Sequence, residues 1–236
     1  MLLPLAGRPM LDYLLDAVDE ISDLDQVHLV TNARFADDFQ AWAASRSGRL
    51  RVDVLDDGTT SNDDRLGAIG DIRFTIEQAS LGEDDLFVVA GDNLIGYALR
   101  DYVNFWRERG GSAIALRHEP DAELIKQFGV IELDEADRVV SFEEKPAKPR
   151  SSLAATAAYL YSAEHVELVP RYLEEGNPPD APGNLVAWLH TRAPVYGYRF
   201  TGDWLDIGNK EQLLEADNLM RSRAGLAPRS EYSPVD

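Results

Sequence analysis

The chain has 236 residues, 42 of them acidic and 23 basic, which gives a formal net charge of −19. A surface this acidic repels phosphate backbones and anionic lipid, so we expect no nucleic-acid partner and no membrane partner. The sequence contains no cysteine, which excludes disulfides and thiolate chemistry and suits a cytoplasmic protein. The acidity fits either a protein kept soluble at high salt or an ordinary acidic protein from a GC-rich genome.

The first half of the chain alternates helical and strand patterns. Pro9 at a first helical position opens a helix, and an apolar stripe follows from Met10 to Ile21. We then expect strands at 27–30, 50–55, 86–90 and 113–116, separated by helices at about 34–46, 66–76 and 97–109. This alternation predicts an α/β, Rossmann-like fold with a mostly parallel, mixed sheet and helices on both of its faces.

The second half of the chain is richer in strands. Strand patterns occur at about 128–133, 138–143 and 154–161, followed by helical patterns at about 163–174 and 184–191 and a strand pattern at 195–200. Asn209 is placed to cap a last helix. We treat residues 1–220 as a single domain with a β-rich insertion and residues 221–236 as a C-terminal tail, and we expect residues 225–236 to be frayed.

Two aspartates stand in positions that suit a ligand. Asp92 follows the apolar run 86–90, at the carboxyl end of a strand, where open α/β sheets bind their ligands. Asp206 stands between Leu205 and Ile207, in an environment that desolvates a carboxylate unless it is paired or metal-bound. Taken alone, each residue could equally be a helix cap or a loop carboxylate. Converging on one site, the two would form a minimal Mg²⁺ clamp, because Mg²⁺ prefers one or two carboxylates together with substrate phosphates.

Lys145 and the segment 59–70 are further candidates for contact with phosphates. Lys145 is one of only four lysines, and its compact ammonium suits a phosphate oxygen; the alternative is a solvated charged turn. The polar segment 59–70 enters a helix that carries Gly67 and Gly70, so backbone N–H groups at the helix start could meet a nucleotide. The alternative for this segment is a loop with an N-cap.

Five motifs in chain order are more specific than any one of them. They are Leu3–Leu5 with Pro9–Leu11, Val89–Asn93, Phe128–Ile131, Phe142–Pro146 and Trp204–Gly208. In this order they resemble the motifs LLP-x-x-x-x-P-M/I, LGDN, YGV, FEEKP and W-x-D-x-G of the sugar-1-phosphate nucleotidyltransferase family, which makes NDP-sugars and includes the glucose-1-phosphate thymidylyltransferases. The resemblance covers about residues 1–220.

The resemblance implies a reaction in which a sugar-1-phosphate oxygen attacks the α-phosphate of an NTP and expels pyrophosphate. Such chemistry depends mainly on positioning and on charge neutralisation. The resemblance further implies that Asp92 and Asp206 hold the catalytic Mg²⁺ and that Lys145 contacts the sugar phosphate.

The remaining substrate contacts are also implied by the resemblance. Glu144 and Gly129 would contact the sugar ring, which makes the β-rich insertion the sugar-binding part of the fold. Gly67 would belong to a base pocket lined by residues 60–67, and Asn93 would bind substrate beside Asp92.

The sequence departs from this family in two places. The family's chains open on a strand and a glycine-rich loop, LAGGxGxRLxPxTxxxPK, which this sequence lacks. Residues 180–184 read Asp-Ala-Pro-Gly-Asn where thymidylyltransferases carry a Glu-Ile-Thr-Asp-like motif, so the sugar stays open, as does the base. We expect an N-terminally truncated enzyme with a gap in its sheet, because the absent strand lies mid-sheet and leaves unpaired backbone groups on its neighbours.

Two other interpretations stay open from the sequence. A non-catalytic paralogue that binds a sugar nucleotide and regulates a partner subunit would carry many of the same motifs, although such a protein would in time lose its metal carboxylates. A generic receiver-like α/β binding module would use Asp92 alone and would leave Phe142–Pro146 and Trp204–Gly208 without a role. The sequence also allows a homo-oligomer.

Overall fold

The computed structural model describes residues 1–234. The strands are β1 Pro4–Leu5, β2 Arg8–Pro9, β3 Gln26–Thr31, β4 Arg51–Asp56, β5 Leu86–Val89, β6 Asn93–Gly96, β7 Ser112–His118, β8 Gly129–Leu133, β9 Val139–Glu144, β10 Leu153–Tyr161, β11 Val195–Arg199 and β12 Asp203–Asp206. The helices are α1 Met10–Asp19, α2 Ala36–Ser45, α3 Ala68–Ala79, α4 Leu99–Arg109, α5 Ala163–Val166, α6 Val169–Glu174, α7 Gly183–Leu189 and α8 Lys210–Arg223, with a 3₁₀ turn at Leu124–Gln127.

The main sheet is mixed, as the sequence predicts, and β10 is its organising strand. β10 is nine residues long and pairs antiparallel with β7, β5 and β8, using its first residues for β8 and its last for β5. β11 adds to β7 in parallel, and β9 adds to β8 as an antiparallel neighbour. Because β10 pairs antiparallel with three strands, the sheet contains more antiparallel ladders than the alternation of strands and helices in the first half of the sequence indicated.

Helices cover both faces of the sheet, which confirms the layered α/β architecture. Successive side chains of a strand point to opposite faces, and β7 follows this rule: Ala113 and Ala115 enter a core with α1, α2 and α4. Ile114 and Leu116 enter a second core with α3, α6 and α7. The β-rich part of the second half, β8 to β10, lies close to its predicted positions.

β3 and β5 each have one edge that pairs with no strand of residues 1–234. β3 pairs in parallel with β4 alone, forming a separate two-stranded sheet, and β5 pairs with β10 alone. Their apolar side chains pack against the first core but stay only partly buried; examples are Leu29, Phe87 and Val89. A run as apolar as Leu86–Val89 is typical of a strand covered on all sides. Among residues 1–234, β3 and β5 are therefore edge strands.

The two ends of the chain pack against each other, which the sequence did not indicate. β1 and β2 form a small hairpin before α1, and the backbone N–H of Ala6 donates to the buried Asp217 of α8. The Tyr232 hydroxyl donates to the carbonyl of Pro4, and Arg229 exchanges hydrogen bonds with Asn218. The expectation of a frayed tail is thus wrong as far as residue 234, because polar anchors hold the segment on α8 and on the hairpin. None of the described helices is long and apolar enough to cross a membrane.

Candidate functional site

Two short strands bring Asp92 and Asp206 together. β6 and β12 pair antiparallel with Asp206 opposite Asn93, and the N–H of Ile207 donates to the carbonyl of Asp92 at 3.0 Å. Each strand has only four residues, and neither was predicted from the sequence. The ladder therefore places the two aspartates of the W-x-D-x-G and GDN motifs beside each other.

The buried side chain of Asn93 stabilises this ladder by hydrogen bonds. Its Oδ1 accepts from the indole N–H of Trp204 at 2.7 Å, and its Nδ2 donates to Oδ1 of Asp92 at 2.9 Å. A buried amide needs such partners, because an unsatisfied one is costly. The Asn93 amide thus orients the Asp92 carboxylate, and contact between Asn93 and substrate stays a prediction.

The charges of three side chains act on one another at this ladder. Burial raises the pKa of Asp206, the Asp92 carboxylate raises it further, and the Lys145 ammonium opposes both effects. Two carboxylates that repel each other in a half-buried position are stabilised by a cation. No group of three or more metal-binding side chains occurs among residues 1–234, so any cation here would have two protein carboxylates and otherwise other ligands.

Lys145 lies at the end of β9 in an unusual backbone conformation. Its φ of +46° is left-handed, a region that non-glycine residues seldom occupy. Its N–H donates to the carbonyl of Phe128 at 3.1 Å, and the Phe128 ring lies edge-on to Trp204 at 5.5 Å between centroids. This chain of contacts ties the lysine to the β12 strand that carries Asp206.

Glu144 and Gly129 face each other across the β8–β9 ladder. The Glu144 side chain reaches solvent, yet desolvation by the surrounding protein raises the pKa of its carboxyl group, and the Lys145 ammonium opposes that shift. Gly129 and Gly183 both lie against the Phe142 ring and the Glu144 carboxylate. Gly183 was not among the predicted site residues. Gly183 lies at the start of α7 and has no positive φ, so its backbone conformation does not require glycine. The only sequence signal for it is a glycine at the start of a helix.

Gly67 begins α3 as its N-cap residue, with a φ of +79° that favours glycine. A side chain here would also strike the carbonyl of Pro179, and that carbonyl accepts from the N–H of Ile69 at 2.8 Å. The predicted base loop is thus in contact with the segment that leads to Gly183.

Comparison with protein families gives one match over nearly the whole chain. The model of a family described as Nucleotidyl transferase matches residues 1–223.

Three curated proteins illustrate the relatives of the chain. A glucose-1-phosphate thymidylyltransferase from Streptomyces griseus is 31% identical over 227 residues, which cover 93% of this chain and 59% of that protein. A UTP–glucose-1-phosphate uridylyltransferase from Synechocystis is 25% identical, covering 94% and 58%. A glucose-1-phosphate adenylyltransferase from Clostridium acetobutylicum is 28% identical, covering 55% and 35%. The chain spans less than two thirds of the length of these relatives.

Solved structures share the fold. A UDP-glucose pyrophosphorylase complexed with UDP-glucose superposes with a TM-score of 0.78 at 17% identity, covering 94% of this chain and 90% of that one. A UTP-bound UGPase from Acinetobacter baumannii superposes with a TM-score of 0.74 at 20% identity, covering 94% and 85%. At these identities the likeness establishes the architecture alone.

Proposed function

Because the chain belongs to the nucleotidyl transferase family, we propose that it forms an NDP-sugar and pyrophosphate from an NTP and a sugar 1-phosphate. The observation that carries the proposal is the β6–β12 ladder, which sets Asp206 beside Asp92. Lys145 lies close enough to act on the charge of Asp206. Two half-buried acids with an exposed lysine beside them suit phosphoryl chemistry, which depends on charge placement more than on covalent help.

Asp92 and Asp206 are the residues that would hold a divalent cation, with Mg²⁺ as our proposal. Their fit rests on the raised pKa of Asp206, caused by burial and then by Asp92, because a cation would relieve both effects. Two carboxylates leave coordination positions for phosphate oxygens, the arrangement that Mg²⁺ favours. When bound, such a cation neutralises charge that develops on the phosphates.

Lys145 and Glu144 would divide the recognition of the sugar 1-phosphate between them. The Lys145 ammonium is a compact positive charge and would pair with the phosphate group. The Glu144 carboxylate is an acceptor only and would take hydrogen bonds from ring hydroxyls. Gly129 lies opposite Glu144, and a Cβ there would strike the Phe142 ring and press on the Glu144 carboxylate.

The base would lie against the loop that ends at Gly67. This loop is preorganised, since the Asp64 carboxylate accepts hydrogen bonds from the N–H and hydroxyl groups of both Thr60 and Ser61. Backbone N–H groups at a helix start can meet a nucleotide, and Gly67 supplies the positive φ from which α3 begins.

In the proposed reaction, an oxygen of the sugar phosphate attacks the α-phosphorus of the NTP in line with the leaving group. The new P–O bond forms as the bond between the α-phosphorus and the bridging oxygen breaks, and pyrophosphate leaves with the electron pair. Lys145 holds the attacking phosphate, and Asn93 keeps the Asp92 carboxylate in place. Holding the reacting groups in this geometry is the main contribution of the protein.

The test is a pyrophosphate-release assay in the presence of Mg²⁺. Each common NTP is paired with the 1-phosphates of glucose, galactose, mannose and N-acetylglucosamine. Because the sequence lacks the family's glycine-rich loop, we expect only a slow reaction with one or more pairs, and we expect Asp206→Asn to lower that rate by about 10²–10³, as loss of one charge-stabilising group commonly does. Asp203→Asn is the matched control, because Asp203 is exposed on the same strand and pairs with Arg223.

Three results would decide against the proposal. Equal rates for Asp206→Asn and Asp203→Asn would remove Asp206 from the chemistry. If the unaltered chain binds a sugar nucleotide but releases no pyrophosphate with any pair, the regulatory alternative replaces catalysis. If it neither binds nor reacts, both interpretations are wrong.

A further inference from the structure

Gly129 and Gly183 both lie against the side chains of Phe142 and Glu144. Gly129 begins β8, Gly183 begins α7, and neither has a positive φ. A Cβ at Gly183 would lie 2.4 Å from Cζ of Phe142 and 2.9 Å from Oε2 of Glu144. A Cβ at Gly129 would lie 2.5 Å and 3.2 Å from the same two atoms. Since the backbone angles do not require glycine at either position, lack of space is the reason for it.

The surroundings of this glycine pair have little freedom to adjust. The Phe142 ring is 9% exposed and packs in the second core. The segment before Gly183 is held at two points: the carbonyl of Pro178 accepts from the Tyr172 hydroxyl at 2.7 Å, and the carbonyl of Pro179 accepts from α3. An added methyl group at Gly183 would therefore strike the buried Phe142 ring and press on the Glu144 carboxylate, which is exposed and is the freer of the two neighbours to move.

We propose that Gly183 is a positioning residue that sets where the Glu144 carboxylate meets the hydroxyls of the sugar. This inference rests on the proposed function and names a determinant of sugar selectivity within it. Hydrogen bonds are directional and weaken steeply when misaligned, so a carboxylate moved by a few tenths of an ångström selects among hydroxyls differently. Gly183 lies in residues 180–184, where the sequence departs from the thymidylyltransferases.

The experiment measures binding directly, by titration calorimetry with Mg²⁺ present. The ligands are glucose 1-phosphate, its 2-, 3-, 4- and 6-deoxy analogues, and the NTP preferred in the pyrophosphate assay. We expect Gly183→Ala to weaken glucose 1-phosphate binding about ten-fold or more, as loss of a charge-assisted hydrogen bond does. NTP binding should stay within about two-fold. The loss should disappear for one deoxy analogue, namely the one that lacks the hydroxyl that donates a hydrogen bond to Glu144.

Two further variants separate positioning from general damage to the fold. Phe142→Leu combined with Gly183→Ala removes the ring atoms that the new methyl group would strike, so it should recover much of the binding. Gly82→Ala is the matched control, because Gly82 also has no positive φ and a Cβ there would meet nothing within 4 Å. Thermal melts of all variants show whether each one folds.

The outcomes distinguish this inference from the proposed function. If the unaltered chain binds no sugar 1-phosphate, the proposed function has failed. If it binds and Gly183→Ala binds equally well, the positioning role is wrong. The role is also wrong if the loss is the same for every deoxy analogue or for the NTP.

Discussion

Lys145 combines a charged side chain with a left-handed backbone conformation. A non-glycine residue in that region costs roughly 1–2 kcal/mol, and such strain persists where the surrounding structure enforces it, often at functional sites. The hydrogen bond from its N–H to Phe128 and the β8–β9 ladder on its N-terminal side enforce the conformation here. A lysine kept in this position, in a chain with few lysines, points to a use for its ammonium.

Substituting Lys145 should separate sugar-phosphate binding from NTP binding. We expect Lys145→Ala to weaken sugar 1-phosphate binding by about 10–100-fold, because a hydrogen bond to a charged group contributes about 1.5–3 kcal/mol. Lys145→Arg should recover only part of the lost binding, since a planar, forked guanidinium replaces a compact ammonium. Titration calorimetry measures both ligands. Lys148→Ala is the control three residues along, and an equal loss for NTP would contradict the assigned role.

Asp71, in the first turn of α3, should make stability depend on pH. Burial, and then the Asp57 carboxylate, raise the pKa of Asp71 to about 6. The folded state therefore binds this proton more tightly than the unfolded state, and stability falls as pH rises from about 4 to about 6. We expect Asp71→Asn to be more stable than the parent by about 1 kcal/mol above pH 6, a figure reduced for solvent screening of a half-buried group.

Urea titrations at pH values between 4 and 8 measure the difference in stability between Asp71→Asn and the parent. Asp64→Asn is the opposite case, because the pKa of Asp64 is lowered rather than raised. Hydrogen bonds from the backbone of Thr60 and Ser61 lower the pKa of Asp64 to about 2. Its carboxylate stabilises the fold above about pH 4, and that contribution is lost as pH falls through 2. Asp64→Asn should therefore be less stable than the parent at neutral pH. A gap between Asp71→Asn and the parent that does not change with pH would contradict the burial argument.

At the scale of elements, β12 and α8 form one unit that presents Asp206. β12 ends at Asp206, and Asn209 caps α8 by accepting hydrogen bonds from the N–H groups of Glu211 and Gln212 at 3.0 and 2.9 Å. The cap fixes where the chain turns from strand to helix. The position of Asp206 thus depends on a short strand on one side and on a capped helix on the other.

Removing this cap should destabilise the protein without changing its fold. We expect Asn209→Ala to lower the free energy of unfolding by about 1 kcal/mol, because two helix N–H groups lose their acceptor. Asn209→Asp should be close to neutral, since aspartate caps equally well. Urea unfolding at neutral pH checks both variants. Equal destabilisation by alanine and aspartate would show that the cap is not the cause.

At the scale of the whole molecule, β7 and β10 are paired on both sides, whereas β5 in the same sheet and β3 in the separate two-stranded sheet each have an unpaired edge among residues 1–234. Amides that carry no ladder bond open at low free-energy cost. Local stability should therefore be higher at β7 than at β5 or β3.

Hydrogen exchange followed residue by residue should reveal this difference. We expect the amides of β7 to exchange only with global unfolding and about half of those in β5 to exchange much faster, because alternate N–H groups face the unpaired edge. β10, paired on both sides, provides the internal control. Uniform protection across β5 and β7 would mean that the β5 edge is covered in solution.

Local sequence by itself determined the elements whose signal lies within one stretch of chain. The apolar run of β5, the apolar stripe of α3 and the cap at Asn209 were all predictable, because periodicity and capping act between near neighbours. The motif order likewise singled out Asp92, Lys145 and Asp206 as candidate site residues. Each prediction rested on residue types at fixed spacing.

Only the tertiary structure decided which of these residues meet. β6 and β12 have four residues each, and the hydrogen bond from Trp204 to Asn93 joins positions 111 apart. A strand so short has little local preference and forms because its partner is there. The same holds for Gly183 at the start of α7, whose need to be glycine arises from Phe142 and Glu144 of β9. Contacts of this kind depend on the closure of long loops, which local sequence patterns do not encode.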